Sequence, residues 1–204
     1  MRKISRFLWY LGMVFLAITT LGAGDSLPIA LPVARDLAGK ALSLEAPQGG
    51  ASLIVFYSSE CPISNAYSPI LNEIAGAFPR EKLTIVGVCV DPDLSDGEIA
   101  QHAQEYKLLY PVMHDPKASL STKLGMKVTP EVAILDHENR VRYRGRIDDQ
   151  FVAKGKRNPN NRTHEARDAI EAVLAGREPA VAYVEAVGCP IPTPRTSKSA
   201  APLR

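Results

Sequence analysis

The stretch ASLIVFYSSECPISNAYSPILNEIA, residues 51–75, decides how this chain is read. Its first seven residues, Ala51 to Tyr57, form a short apolar run rich in aliphatic and aromatic side chains. Such a run, flanked by glycines on one side and the polar SSE on the other, predicts a strand buried on both faces. From Ser64 to Phe78 apolar residues recur at helical spacing, at Tyr67, Ile70, Leu71, Ile74 and Phe78, and Pro79 closes the pattern. One cysteine, Cys61, falls where strand gives way to helix.

The same alternation continues outward. LTIVGVCV, 83–90, reads as a second buried strand, and GEIAQHAQEYKLL, 97–109, as a second helix with Ser95 or Asp96 as its N-cap. YPVMHD, 110–115, reads as a short extended piece, and KASLSTKLG, 117–125, as a short helix ending at Gly125. EVAILD, 131–136, and VRYRGRI, 141–147, flank the turn HEN and predict an antiparallel hairpin. THEARDAIEAVLAG, 163–176, is an amphipathic helix with Thr163 as the expected N-cap and Gly176 past its end. The order β-α-β-α-β-β-α predicts an α/β fold, two parallel crossovers with an antiparallel hairpin added. Residues 150–162, QFVAKGKRNPNNR, read as a solvated basic loop.

The ends differ from the middle. Arg2, Lys3 and Arg6 precede an uncharged apolar run from Phe7 to Ala23, and small residues follow at Gly22 to Gly24. A basic head, an apolar stretch and a small-residue end predict a secretory signal over residues 1–24, or a membrane anchor if uncleaved. Either predicts an exported chain, periplasmic or secreted. Removing residues 1–24 takes three positive charges and no negative ones from the total of +2, leaving −1. That balance gives no electrostatic reason to bind nucleic acid. The expected division is a signal over 1–24, one globular domain over 25–177 and a tail over 178–204. The tail is rich in proline, alanine and serine, and reads as exposed.

Three cysteines, Cys61, Cys89 and Cys189, are too few for a disulfide scaffold, and in an oxidising compartment their odd number implies a free thiol or an intermolecular partner. The four histidines show no ligand spacing among themselves or with the cysteines, so no metal site or cofactor is expected. Cys89 lies inside a strand pattern and reads as a small core hydrophobe. Cys61 is placed for chemistry. The first turn of a helix offers unpaired N–H groups and the positive end of the dipole, which favour the thiolate. Pro62 suits a first helical position because it has no N–H to lose. Ser64 can donate a hydrogen bond to the sulfur, and Glu60 is expected to face solvent.

CPISNAYSPILNEIA, together with KVTPEVAIL and the ENRVRYRG hairpin, resembles the thioredoxin superfamily over about residues 38–176. ECPIS and RGRIDDQ are similar to recurring features of exported redoxins of the alkyl hydroperoxide reductase/thiol-specific antioxidant type. The resemblance implies a three-layer α/β/α sandwich with a central mixed sheet and an antiparallel C-terminal hairpin. It implies that Cys61 is the reactive thiol, with Ser64 in the slot of the second C-x-x-C cysteine and Pro69 at the helix kink. Pro130 is implied to be cis, beside the thiol, with Thr129 offering its carbonyl and N–H to an extended substrate chain; Pro62, Thr129 and Pro130 then line the binding surface.

Ser64 excludes a disulfide within the motif. Three readings follow. Cys61 exchanges with disulfides and is resolved by Cys189 or an outside thiol; or it reduces a peroxide through a sulfenic acid; or the fold is a binding module without catalysis. The peroxiredoxin pattern P-x-x-x-T-x-x-C meets Ser58 at its threonine and Ile54 at its proline, which weakens the second reading. Copper-chaperone redoxins need C-x-x-x-C, and Asn65 stands where their second cysteine falls. The expected partners are protein or small-molecule thiols and disulfides, with peroxide as the alternative. Cys189 is expected either to reach Cys61, in the same or a neighbouring chain, or to remain a solvent thiol.

Overall fold

The computed structural model describes residues 26–160 and 163–192. Residues 34–42 fold back on themselves, β1 (Ala34–Arg35) pairing antiparallel with β2 (Ala41–Leu42). Then follow β3 (Ala51–Tyr57), α1 (Pro62–Ala77), β4 (Leu83–Cys89), α2 (Asp96–Glu105), β5 (Val112–His114), α3 (Ser119–Lys123), β6 (Val128–Thr129), β7 (Glu131–Asp136) and β8 (Val141–Gly145). The chain continues through β9 (Phe151–Ala153), β10 (Lys156–Arg157), α4 (Glu165–Leu174), β11 (Tyr183–Val184) and β12 (Cys189–Pro190).

Six strands form the central sheet in the order β11-β8-β7-β3-β4-β5. β3 pairs parallel with β4 and β4 with β5, while β7 runs antiparallel to β3 and to β8. This is the expected mixed sheet with its antiparallel hairpin. β3 lies at the centre, buried at all seven residues, which is why it lacks polar alternation. Leu53 and Val55 point to one face, where α1 and α4 cover them through Tyr67, Leu71, Ile74 and Ile170. Ile54 and Phe56 point to the other, under Leu120 and Leu124 from α3 and its end. Helices on both faces make the thioredoxin-like three-layer sandwich.

Several expectations are corrected. α2 stops at Glu105 because Lys107 takes a left-handed φ of 53° and Leu108 turns its N–H back to the Ala103 carbonyl. Its N-cap is Ser95, in a capping box with Glu98. α4 is capped at His164 rather than Thr163, because the Thr163 N–H goes to Asp149 and its hydroxyl to Glu165. Residues 150–160 are not a wholly solvated loop: β9 and β10 pair, and Phe151 is buried against Tyr67 at 5.7 Å between ring centroids.

The largest correction concerns the tail. β11 adds to the sheet edge in parallel with β8, and β12 pairs antiparallel with β6. Val184, Val187 and Cys189 pack on one core cluster and Ile191 on the other. Residues 183–192 therefore lie along the domain rather than in solvent. The expected signal, residues 1–24, lies outside the described residues. Among the described residues no helix is long and apolar enough to cross a membrane.

Candidate active site

The carboxyl end of β3 delivers the chain to the SSE turn, which is tied down on every side. The Ser59 N–H and hydroxyl both donate to Asp91 at 2.7 Å. The Ser59 carbonyl accepts from the Asn65 side chain at 2.9 Å. The Cys61 N–H donates to the Ser58 carbonyl at 3.2 Å, and Glu60 faces solvent. Cys61 is thereby the N-cap of α1, with extended backbone, and Pro62 is the first helical residue.

N-cap geometry gives Ser64 its role. It is the third residue of the helix, and the N–H of that position turns back toward the N-cap side chain. Ser64 is buried beside Cys61, where its N–H and hydroxyl favour the thiolate, although the thiol receives no cap hydrogen bond and the Ser64 hydroxyl accepts the Ser58 N–H at 3.4 Å. The C-x-x-S spacing therefore sets a buried hydroxyl where a second sulfur would stand.

β6 faces this helix end across the site. The Thr129–Pro130 peptide bond is cis, and the Cys61 thiol lies 3.2 Å from the Thr129 carbonyl oxygen. β12 sets Cys189 opposite Thr129 in register, and the Cys61 and Cys189 sulfurs stand 2.7 Å apart. Both cysteines are free thiols. Cys61, Ser64, Thr129, Pro130 and Cys189 thus converge on one point, with Pro62 exposed at its rim.

The two thiols are shifted in opposite directions. Burial pushes Cys61 up, but the Cys189 thiol and the polar groups of Ser64 outweigh it and hold Cys61 below the ordinary thiol value. Cys189 is pushed up to about 11 by burial, by donating to Cys61 and by repulsion from that charge, with Lys154 opposing.

Two carboxylates at the site escaped the sequence reading. Asp91, which follows β4, organises the SSE turn; its only signal was an acid at the end of an apolar run. Glu131, buried directly after Pro130, accepts the N–H groups of Lys127 and Val128 and fixes β6. The RGRIDDQ segment also gains a part. Arg146 pairs with Glu165. Asp148 is buried and accepts the Tyr67 hydroxyl at 2.8 Å, while Asp149 holds Asn158 and Thr163. These residues brace the hairpin base and do not touch the sulfurs. Among the described residues no cluster of three or more His, Cys, Asp or Glu could hold a metal ion.

Comparison with known proteins agrees with this architecture. The family described as Redoxin matches residues 22–156. A hypothetical protein from Sinorhizobium meliloti superposes with a TM-score of 0.68 at 24% identity, covering 82% of this chain and 93% of that one. An uncharacterized conserved protein from Geobacillus kaustophilus gives 0.69 at 19% identity, covering 82% and 91%. A thiol-disulfide isomerase from Corynebacterium glutamicum gives 0.51 at 18% identity, covering 58% and 84%. At these identities the similarity speaks to fold. No curated protein matches the chain.

Proposed function

The chain belongs to the redoxin family, and from that premise we propose that it is a two-cysteine thiol–disulfide oxidoreductase in which Cys61 attacks and Cys189 resolves. The carrying observation is the pair of sulfurs at 2.7 Å, one thiol held low and the other high.

The Cys61 thiolate attacks one sulfur of a substrate disulfide. That S–S bond breaks, and the far substrate sulfur leaves as a thiolate that takes a proton from solvent. Cys61 is then neutral and covalently capped. The charge and the acceptor that held the Cys189 proton are gone, so Cys189 ionises more readily when it is needed. Its sulfur attacks the Cys61 sulfur, its proton passes to the departing substrate sulfur, and a Cys61–Cys189 disulfide remains. The substrate gains two electrons, the cysteine pair loses two, and an outside dithiol restores the pair. The lowered pKa makes Cys61 both an attacking group and a good leaving group.

The proposal includes export, on the basic and apolar N-terminal segment, because a disulfide cycle suits an oxidising compartment. The substrates are protein or small-molecule disulfides, with Thr129 and Pro130 beside the reacting sulfur. The test is peptide mass spectrometry of the reduced chain after one equivalent of an aromatic disulfide, with free thiols alkylated. A Cys61–Cys189 linkage with Cys89 alkylated is expected. Cys61 left capped by the small thiol with Cys189 alkylated overturns the resolving role. Hydrogen peroxide driving the same linkage faster than any disulfide moves the reading to a peroxidase.

A further inference from the structure

We infer that residues 183–192 are a built-in occupant of the substrate edge, and that the polypeptide taken in their place is extended and carries glycine immediately before its reactive cysteine. This inference rests on the exchange reading above.

β12 lies on β6 as an added strand lies on a sheet edge. The Ile191 N–H donates to the Lys127 carbonyl at 3.0 Å, and the Thr129 hydroxyl donates to the Cys189 carbonyl at 3.4 Å. Main-chain pairing of this kind fixes register without reading side chains, so any extended chain carrying a cysteine opposite Thr129 presents its sulfur to Cys61 as Cys189 does. Cys61 is only 1% exposed, although it caps a helix at the end of the sheet. With Cys189 against its sulfur, an outside disulfide reaches Cys61 only when β12 lifts.

The residue before the cysteine is read by exclusion. A Cβ at Gly188 would stand 2.1 Å from the Thr129 carbonyl oxygen and 2.7 Å from its carbon. Both are backbone atoms of the strand that carries the register, so no rotamer change relieves the clash. Glycine alone lets the cysteine strand come this close. The far end of the segment is seated in the same manner. A Cβ at Gly145, which has φ +137°, would meet the Val184 carbonyl oxygen at 1.9 Å. The Arg144 and Arg146 N–H groups donate to Ala182 and Val184 there. β11 is the anchor and β12 the removable strand.

Strand exchange and disulfide exchange then become coupled steps. β12 leaves, the substrate strand pairs with Thr129, and Cys61 attacks the substrate cysteine as its leaving thiolate departs. β12 returns as Cys189 attacks the Cys61 sulfur, and the substrate is released as a thiol carrying the Cys189 proton. Electrons balance as in the exchange reading.

The experiment uses the full reduced chain and two synthetic peptides, AVGCPIP and AVACPIP, each carrying thionitrobenzoate on its cysteine. Release of the yellow thiolate is followed, with the reaction of each peptide with glutathione as the reference for intrinsic reactivity. The glycine peptide is expected to react about tenfold faster than the alanine peptide. Gly188→Ala in the chain is expected to speed reaction with a small aromatic disulfide several-fold, because β12 no longer seats. Equal rates for the two peptides overturn the inference and leave exchange intact. No release from either peptide or from the small disulfide, from a chain that reacts once unfolded in urea, overturns the exchange reading itself. Should Gly188→Ala fail to fold, the two peptides on the native chain decide the matter.

Discussion

Cys61 and Cys89 sit at the same end of neighbouring parallel strands, 1% and 0% exposed, yet their thiols are driven in opposite directions. Both pay the desolvation cost of a buried charge. Around Cys61 the Cys189 thiol and the polar groups of Ser64 favour the charge, with the Thr129 carbonyl oxygen 3.2 Å away on the other side. Cys89 instead has the Asp91 carboxylate 3.4 Å from its sulfur, and burial with that charge pushes it to about 12 despite backbone hydrogen bonds. The same Asp91 holds the turn that carries Cys61. Burial is the main reason that Cys89 stays protonated, and the carboxylate beside it also holds the turn that carries Cys61. Burial sets a cost, and the neighbours decide whether a cysteine is a nucleophile or a core residue.

The largest test of this contrast is removal of each sulfur. Cys61→Ser is expected to cut the rate of exchange with an aromatic disulfide by at least about a thousandfold, and Cys89→Ala to leave it within about twofold. Equal losses would break the comparison. Next comes Cys189→Ala. The first mixed disulfide should still form, but turnover with a dithiol reductant should drop by on the order of tenfold or more. Loss of the thiol donor should also move the midpoint of Cys61 alkylation to higher pH. Ser64→Ala is smaller, because the backbone N–H stays. Iodoacetamide modification of Cys61 at neutral pH should slow by roughly threefold, with its midpoint shifted up.

The smallest effect is on stability. Between about pH 8.5, where an unfolded thiol ionises, and the folded Cys89 value of about 12, only the unfolded chain releases the Cys89 proton. Stability therefore falls as pH rises through that window. Cys61 has the opposite sign: its lowered folded value gives stability that is present above the unfolded pKa and lost as pH falls through the folded one. Thermal melts of the reduced chain should show a shallower alkaline decline in Cys89→Ala than in the wild type, by a few degrees at most. An unchanged slope would mean that Cys89 does not stay protonated.

Much of the fold was legible because its signals are local. A run that is apolar from Leu53 to Tyr57 and polar only at Ser52 makes β3 a central strand, and the spacing of Tyr67, Leu71 and Ile74 commits α1 to one buried face. The junction between them puts Cys61 at a helix N-cap with Pro62 first and Ser64 third, and that geometry follows from sequence separation alone. Carboxylate roles were not legible. Asp91 reads as one more acid in a turn, since Ser59, 32 residues away, reaches it only through the pairing of β3 with β4.

The sequence by itself therefore determined the order of the main helices and core strands, the thiol-bearing motif at the junction of β3 and α1 and the absence of a second cysteine within it. Only the tertiary structure decided that Cys189, 128 residues from Cys61, is what meets it. The reason is physical. β11 and β12 are two residues each, too short for any periodicity, and their places are fixed by hydrogen bonds to strand edges and by the close approach allowed at Gly145 and Gly188. Contacts of that kind carry no local pattern, and they exist only once the sheet has formed.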